Sequence, residues 1–585
     1  MTLARPSSLE THLLDEISFD TGWGLLERFS SLVRESGSAD EHAAGAYIAT
    51  ELARLGIEHE VYEPTLFLSL PRDSSVDAGG DPIRAKPPSF AVPTGPEGLS
   101  GDLVHVPASR VRGQRDLFTT HAAELPDVEG KIVLTEGYAM PATVAQFERA
   151  GAIGQIFINP GRNVHWGICT SIWGTPTTRD LARKPRTPVV AINHPDGDRL
   201  REAVAAGSIR VTLHVALEEG WYPCKLPVAR IQGGAEEFML VHGHYDSWDV
   251  GIGDNGVGDA TLLELARIFN AHAGELQRSL WIAWWPAHST GRYGGSTWFA
   301  DEFALDLRKR CVGGLNIDSP GCWHATEYDD VMWMAEAGSL CEGAIRDATG
   351  KKAERLRPLR AGDYSFNQIG LTSFYMLLSN IPADEREALG FYPTGGCGGN
   401  IAWHTEDDVM RVAERENLER DLKVYVTTIA RVLDARILPY DFRETAAELR
   451  GFVAGYMEAA GTHVDLARVR AELDALTAAL QELYNWIERG SLDGGQARSV
   501  NRLFLELSRI LVPIGYAEGG SFDHDPALPR PPIPRLARAN ELAASARNQP
   551  DLLPFLQTEL KRAANHVANA FYEAARAVRR VSADR

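Results

Sequence analysis

The sequence is poor in cysteine and has no long apolar run. Its 585 residues include only 6 cysteines, and these form neither a CxxC pair nor a regular spacing. This pattern excludes a disulfide-rich scaffold and a zinc knuckle, and it predicts reduced, mostly buried thiols. No 18 consecutive residues are apolar, so no membrane-spanning helix is predicted.

Basic residues are also in deficit. There are 59 Lys and Arg against 79 Asp and Glu, which gives a formal net charge of -20. Such an acidic surface repels phosphate backbones and anionic headgroups, so neither nucleic acid nor a membrane is an expected partner. No apolar export segment follows Met1, and we therefore expect a cytoplasmic protein.

The order of apolar segments predicts three domains. Residues 1–72 and 222–440 alternate strands with helices, which favours an α/β domain with a largely parallel sheet covered by helices. Between them, residues 73–221 contain short β-rich segments and one helix, which predicts a compact α+β insert. Residues 441–585 are rich in Ala, Leu, Arg and Glu at helical spacing, which predicts a helical bundle that either self-associates or caps the α/β domain.

The most informative segment, Val241–Asp259, leaves an apolar strand, crosses a glycine-rich loop and enters a helix. Its glycines match the GxGxxG pattern of dinucleotide-binding proteins. However, the next strand, 280–286, ends without the acidic residue that would hold a ribose. The loop instead carries four side chains of metal-ligand type: His244, Asp246, Asp249 and Asp254. We therefore reject a dinucleotide site and favour a metal site over a solvated turn with scattered acids.

Three of these side chains have complementary metal-site roles. The His244 imidazole can bind a metal, Asp246 can orient that imidazole, and Asp254 can bridge two ions because a carboxylate has two oxygens. Two further segments strengthen this interpretation. Asp318 follows an apolar strand in an Asn-Ile-Asp sequence, and His404 supplies a second imidazole.

With these motifs, the chain resembles the co-catalytic zinc aminopeptidase family, specifically the branch of glutamate carboxypeptidase II and the transferrin receptor. The resemblance rests on the HxD spacing followed by Asp, on the strand-end NID, and on the His-Thr-x-x-Asp element that starts at His404. That branch has a peptidase domain interrupted by a protease-associated (PA) insert, then a helical dimerisation domain. The PA resemblance rests on Gly130–Leu134 and Gly151–Gly154.

The resemblance implies a role for each matched residue. His244 and Asp318 would bind a first metal, Asp254 would bridge, His404 would bind a second metal, and Asp246 would be the orienting acid. Zinc is the expected metal, with manganese, iron, cobalt or nickel as alternatives, at one or two ions per chain. A homodimer through the helical domain is also expected.

One part of the family's pattern is missing. In the family, a strand ends in two glutamates shortly before a Gly-Ser turn; the first is the general base and the second binds the second metal. Here no Asp or Glu occurs between Glu275 and Asp301. Alignment on Gly291 puts His288 and Ser289 in place of the pair, and alignment on Gly295 and Ser296 puts Ser289 and Thr290 there. Loss of a carboxylate base costs about 10²–10⁴ in rate unless another group replaces it.

His288 is the predicted replacement. Its unperturbed pKa of about 6.5 suits proton transfer near neutrality. It could instead join Asp254 and His404 around the second metal, or have neither role. Either way, three protein ligands would remain for the first metal, which describes a catalytic rather than a closed structural site.

Two residues are weaker candidates for the substrate pocket. Asp363 lies where the family has an acidic or polar residue near the substrate; alternatively, it caps a helix over 365–369. Trp403 precedes His404 where the family often has an aromatic residue, and it could form a wall of the pocket.

Two more candidates have a functional and a structural interpretation each. Arg292 could bind a substrate carboxylate with its planar guanidinium, or form a surface ion pair. His242 faces the same side of its strand as His244, so it could approach the metal or lie in the core. His165 and His324 have no predicted partners.

Three classes of function follow. The first is a metal-dependent hydrolase of a peptide-like or small amide bond. The second is a metal-dependent lyase, isomerase or cyclohydrolase acting on a small polar substrate. The third is a non-catalytic binding protein, as the transferrin receptor is within the family. Retention of the five metal-site residues speaks against the third class, and loss of both glutamates speaks against an ordinary peptidase. We favour hydrolysis.

Overall fold

A computed structural model describes residues 7–108, 116–117, 126–490 and 492–583. Its strands are β1 (His59–Tyr62), β2 (Thr65–Pro71), β3 (Ser74–Asp77), β4 (Ile83–Ala85), β5 (Leu99–His105), β6 (Ile132–Glu136), β7 (Gly154–Ile158), β8 (Val189–Ile192), β9 (Arg210–His214), β10 (Leu217–Pro223), β11 (Leu226–Ile231), β12 (Ala235–His244), β13 (Arg278–Trp285), β14 (Cys311–Asn316), β15 (Tyr328–Met332), β16 (Ala353–Leu356) and β17 (Ser373–Phe374).

The α-helices of the same residues are α1 (Ser8–Asp15), α2 (Asp20–Phe29), α3 (Ala39–Arg54), α4 (Pro141–Arg149), α5 (His194–Ala206), α6 (Val257–Ala271), α7 (Gly294–Glu302), α8 (Ala304–Arg310), α9 (Gly338–Thr349), α10 (Ala383–Leu389), α11 (Arg415–Leu433), α12 (Phe442–Ala460), α13 (Ala467–Glu488), α14 (Gly494–Tyr516), α15 (Leu542–Asn548) and α16 (Leu553–Ala583). None of these helices is both long and apolar enough to cross a membrane.

The central sheet has the strand order β1-β11-β13-β12-β14-β17. Strands β13, β12, β14 and β17 run parallel, and β11 and β1 complete the sheet in antiparallel pairing. A parallel sheet of apolar strands is stable only when both faces are covered. The predicted α/β class, with its largely parallel sheet and its C-terminal helices, is confirmed.

Two adjacent tryptophans show how the sheet is covered. Trp284 and Trp285 point to opposite faces of β13, and both are fully buried. Trp284 packs in the same apolar cluster as α6, whereas Trp285 packs with Phe299 of α7. Successive side chains of a strand point to opposite faces of the sheet. Because both faces of this sheet are covered, a strand such as β13 is apolar at successive positions rather than only at every second one.

A second sheet is built from residues 74–214, in the order β4-β3-β9-β5-β6-β7-β8. Strands β2 and β10, on either side of this segment, pair antiparallel with each other and form the connection to the central sheet. The segment therefore leaves and re-enters the α/β part at one place. The region 73–96, which has no periodicity in sequence, contributes the short strands β3 and β4.

The C-terminal helices share their core with the sheet-containing part of the chain. Apolar residues of α12, α13, α14 and α16 belong to the same buried cluster as those of β12 and α6. The cysteine prediction is confirmed, since all six thiols are free and buried.

Candidate active site

Three loops meet at the carboxyl edge of the central sheet. They follow β12 at His244, β13 at Trp285 and β14 at Asn316. Neighbouring parallel strands end at the same edge, which is where open α/β sheets place their sites. The predicted metal-site residues are therefore brought together by the topology rather than by sequence proximity.

Asp254 lies between two imidazoles. The Nε2 atom of His244 is 3.0 Å from Asp254 Oδ1, and the Nε2 atom of His404 is 2.9 Å from Asp254 Oδ2. The other ring nitrogen of His244 donates a hydrogen bond to the backbone carbonyl of Asp246 at 3.0 Å, which leaves Nε2 for the site. Each carboxylate oxygen thus faces one histidine, as a bridging carboxylate requires.

Asp246 ties the β12 loop to the β13 loop. The backbone N–H groups of His288 and Ser289 donate to its two carboxylate oxygens, each at 3.1 Å. Its Oδ1 atom is also 3.6 Å from His244 Nδ1. Asp246 therefore fixes His288 relative to His244 through backbone bonds that do not depend on the side chains at 288 and 289.

Asp318 completes the first group of ligand-type side chains. Its Oδ2 atom is 3.9 Å from His244 Nε2, and Ser319 Oγ donates to its Oδ1 atom at 3.0 Å. Burial, together with the charge of nearby Asp254, raises the pKa of Asp318 to about 7. Imidazole nitrogens and carboxylate oxygens of this kind fit zinc or a similar divalent ion.

His288 lies directly against His244. The two rings stack with centroids 3.8 Å apart and planes 18° apart. One ligand atom from each of His244, His288 and Asp318 lies within 4.8 Å of the others. Burial, followed by the charge of His244, lowers the pKa of His288.

Asp363 holds the outer side of the His288 ring. His288 Nδ1 donates to Asp363 Oδ2 at 2.8 Å, and Ser296 Oγ donates to Asp363 Oδ1 at 2.7 Å. Residues 361–369 form turns rather than a helix, so the alternative prediction that Asp363 caps a helix is wrong. Burial opposes ionisation of Asp363, but the charge and hydrogen bond of His288 outweigh it and lower the pKa.

The second predicted metal position has fewer ligands. Among the residues that the structure describes, neither Asp254 nor His404 belongs to a group of three ligand-type side chains within 4.8 Å of one another; the group at this place is His244, His288 and Asp318. Ser289, which the alignment on Gly291 puts in place of the metal-binding glutamate, is buried, but a serine hydroxyl is a poor ligand for zinc. The resemblance therefore implies fewer ligands for the second ion than for the first.

The insert contributes a contact that the sequence did not reveal. His404 Nδ1 donates to the backbone carbonyl of Trp166 at 2.9 Å, and the Trp166 N–H donates to the His404 carbonyl at 2.9 Å. Trp403 stacks on His404 with centroids 3.8 Å apart. His165, which had no predicted partner, donates to the Trp403 carbonyl at 2.6 Å. Backbone pairing across such a sequence distance leaves no side-chain pattern to recognise.

Of the two ambiguous residues, His242 is in the core and Arg292 lies in the loop after β13, four residues after His288. Trp285 Nε1 donates to His242 Nδ1 at 3.0 Å, and burial lowers the pKa of His242 to about 4. Arg292 is only 6% exposed and has no ion pair with any described residue, so the surface ion pair considered above is wrong. His324, the other histidine without a predicted partner, contacts Glu385.

Comparison with known proteins agrees with the motif-based resemblance. Residues 228–427 match the sequence model of peptidase family M28. This part of the chain is therefore similar to peptidases of that family. It contains both histidines that flank Asp254, together with Asp318 and His288.

Curated relatives are aminopeptidases of low identity. Aminopeptidase NAALADL1 of Mus musculus is 26% identical over 355 residues, which cover 55% of this chain and 47% of the relative. Leucine aminopeptidase 2 of Arthroderma otae is 26% identical over 282 residues, covering 47% and 52%. The chain therefore spans about half the length of the curated relatives it matches.

Solved structures support the M28 fold. An aminopeptidase from Aneurinibacillus sp. strain AM-1 has a TM-score of 0.52 at 19% identity, covering 72% of this chain and 95% of that one. A zinc aminopeptidase from Bacillus subtilis has a TM-score of 0.52 at 18% identity, covering 70% and 94%. The matched residues 228–427 include His288 and Ser289, which the alignment on Gly291 puts where the resemblance expects the glutamate pair.

Proposed function

We propose that this protein is a metal-dependent hydrolase of a peptide-like or small amide bond. The observation that carries the proposal is the Asp254 carboxylate, with one oxygen facing His244 and the other facing His404, next to the His288–Asp363 pair. The match to peptidase family M28 and the aminopeptidase relatives support it.

His244, Asp254 and Asp318 would hold a divalent ion, most simply zinc. When bound, this ion would polarise the scissile carbonyl and make a water molecule more acidic. Only Asp254 and His404 are available at the second position, so we propose one firmly held ion per chain.

We assign His288 the role of general base rather than that of a ligand. Nitrogen lone pairs lie in the plane of an imidazole, and the planes of His244 and His288 are nearly parallel at 3.8 Å. Lone pairs in parallel planes do not converge on one ion, so His244 and His288 are poorly arranged to bind the same metal. His288 instead has its Nδ1–H fixed by Asp363, which leaves Nε2 to accept a proton.

The proton path then uses only this histidine. His288 Nε2 accepts the proton of the attacking water and donates it to the leaving amine, as a general base and then a general acid. Asp363 keeps the ring in the required tautomer, and the backbone bonds from His288 and Ser289 to Asp246 hold the loop in place. This arrangement replaces a glutamate base with a histidine oriented by an acid.

A test of the reaction class is the mass of the products. Purified protein reconstituted with zinc is incubated with a panel of peptides and N-acyl amino acids, and the products are measured by mass spectrometry. Hydrolysis predicts products whose summed mass exceeds that of the substrate by one water. Products whose summed mass equals that of the substrate would instead support the second candidate, as a lyase or isomerase; the absence of a carboxylate base at 288–289 is the observation that favours it.

We also propose that residues 73–221 form a PA-type insert and that the chain forms a homodimer through its C-terminal helices. Trp166 supports a role for the insert at the site, because its backbone pairs with His404. At the start of α16, Leu552 and Phe555 are 53% and 73% exposed, which supports self-association there. Light scattering that gives the mass of one chain would overturn the dimer.

A further inference from the structure

Five arginines of the described residues are buried, and the guanidinium groups of four of them are satisfied in the same way. Burial of a guanidinium costs free energy unless its N–H groups find acceptors. Arg34, Arg278, Arg360 and Arg509 each donate to two or more backbone carbonyls. These four are structural residues that hold loops and helices together.

Arg292 is the exception. It is 6% exposed, yet its side chain makes no hydrogen bond or ion pair with any residue that the structure describes, and its Nε atom is fully buried without an acceptor. Its guanidinium carbon lies over the face of the Tyr293 ring, 4.7 Å from the ring centroid. The buried Nε–H of Arg292 is therefore an unsatisfied donor that the fold alone does not explain.

The position of Arg292 links it to the reacting groups. It lies four residues after His288 in the same loop, and the Tyr293 ring packs edge-on against His288 with centroids 4.8 Å apart. Residues 73–221 also contact this loop at Arg292, because the Gly174 N–H donates to the Arg292 carbonyl at 2.6 Å. Arg292 therefore lies at the junction of the insert and the candidate catalytic loop.

Two buried threonine hydroxyls on the segments that meet at the Arg292 backbone are also unsatisfied. The Oγ1 atoms of Thr175 and Thr290 are buried and have no hydrogen-bond partner. Thr290 precedes Arg292 by two residues, and Thr175 follows Gly174, which is bonded to the Arg292 backbone. The region thus combines one cation with two spare hydroxyl donors and no acceptor for them.

We propose that the substrate carries a carboxylate and that Arg292 binds it. This inference rests on the proposed hydrolase function and names its substrate class: an amide with a free carboxylate on the part that lies against the insert. A guanidinium offers two parallel N–H groups that match the two oxygens of a carboxylate. Its single charge balances a carboxylate, whereas a phosphate monoester would leave a surplus negative charge in a buried place.

The test is equilibrium binding, which does not require turnover. Zinc-loaded protein is titrated by calorimetry with benzoate against benzamide and with N-acetyl-L-leucine against its carboxamide. We expect each acid to bind about tenfold or more tightly than its amide, and Arg292→Met to lose that preference. Arg292→Lys, which keeps the charge without the fork, should retain part of it.

Three results would overturn the inference. The first is equal binding of acid and amide to the unmodified protein, and the second is no binding of either acid. The third is a preference for acids that persists in Arg292→Met, because such a preference would come from the metal ion. A further titration, with inorganic phosphate, tests the other anion. Displacement of both acids by phosphate at lower concentration would assign Arg292 to a phosphate group instead.

Thermal stability gives an independent comparison within the chain. Arg292→Met removes a buried charge that has no partner, so its melting temperature should equal or exceed that of the unmodified protein. Arg360→Met, the matched control, removes bonds to three carbonyls and should melt lower. A clear drop in Arg292→Met would indicate a structural role and contradict the proposal.

The outcome for the inference can be separated from that for the proposed function. Hydrolysis of acids and amides at equal rates would support the hydrolase and reject the carboxylate site. Arg292-dependent binding of acids without any hydrolysis would support the carboxylate site and reject the hydrolase.

Discussion

The loops after β12 and β13 lie side by side, yet they differ in what they have kept. The β12 loop has His244, Asp246 and Asp254, the side chains that the motif-based resemblance assigns to a metal site. The β13 loop has no acid at all, and it presents His288 and Ser289 instead. Asp246 joins the two loops through the backbone N–H groups of 288 and 289.

This difference indicates that the backbone contacts that position a loop can stay the same while the side chains of the loop change. The contacts from Asp246 are to backbone atoms, so they position the β13 loop whatever side chains it carries. Replacement of the glutamate pair therefore leaves the loop in place while changing the base and one ligand. The first three of the predictions that follow test whether the β12 loop binds the metal and the β13 loop supplies the base; the fourth concerns stability.

The largest effect is expected at the β12 loop. His244→Ala removes an imidazole that faces both Asp254 and Asp318, so bound metal and activity should fall to background. Elemental analysis and an activity assay measure the two together. His324→Ala is the control, since that histidine contacts Glu385 and should be dispensable. Full metal content in His244→Ala would contradict the assignment.

A smaller loss of activity is expected when His288 is retained but is no longer held in its orientation. Asp363→Asn removes the charge that fixes His288 Nδ1–H, and kcat should fall by about 10- to 100-fold with metal content unchanged. Ser296→Ala removes only the other bond to Asp363 and should cost less. Equal effects from the two variants would show that the His288–Asp363 pair has no special role.

The third prediction adds a carboxylate to the β13 loop. Ser289→Glu would supply a third ligand for the second predicted metal ion, for which Asp254 and His404 are the two expected ligands. The metal content should rise from one ion per chain towards two, while Ser289→Ala should leave it unchanged. Two ions in the unmodified protein would show that the second position is complete without an acid.

The smallest effect concerns stability away from the reacting groups. Burial raises the pKa of Glu41 to about 8, against the opposing backbone hydrogen bonds of Lys225 and Gly37. Between its usual pKa and 8, the folded state binds a proton that the unfolded state does not. The free energy of unfolding should therefore fall as pH rises through this range, by up to about 1.4 kcal/mol per pH unit. Denaturant unfolding at several pH values measures the slope.

Glu41→Gln provides the control for that slope. This side chain cannot ionise, so the difference in stability between variant and unmodified protein should shift in favour of the variant as pH rises from about 5 to 8. A difference that does not vary with pH would contradict the raised pKa.

The sequence predicted the parts of the site that follow a strand directly. His244 and Asp318 each end or follow an apolar strand, and parallel strands of one sheet bring such residues together. The alternation of strands and helices likewise predicted the central sheet, because a run such as that of β13 is apolar on both faces. The helical C-terminal region was recognised from its apolar spacing over 441–585, where the structure has the helices α12 to α16.

Contacts between distant segments were not predictable in this way. Asp363 and His288 are 75 residues apart, and Trp166 and His404 are 238 residues apart. The first contact depends on how the turns over 361–369 pack, and the second is between backbone atoms. The missing partner of Arg292 is likewise a property of three-dimensional packing, since the other four buried arginines look no different in sequence.

The most direct test of the account is the metal content and turnover of His288→Ala. If His288 is a base and not a ligand, the variant should bind as much metal per chain as the unmodified protein while kcat falls by about 10²–10⁴. Loss of metal in proportion to the loss of activity would contradict the account, because it would make His288 a ligand.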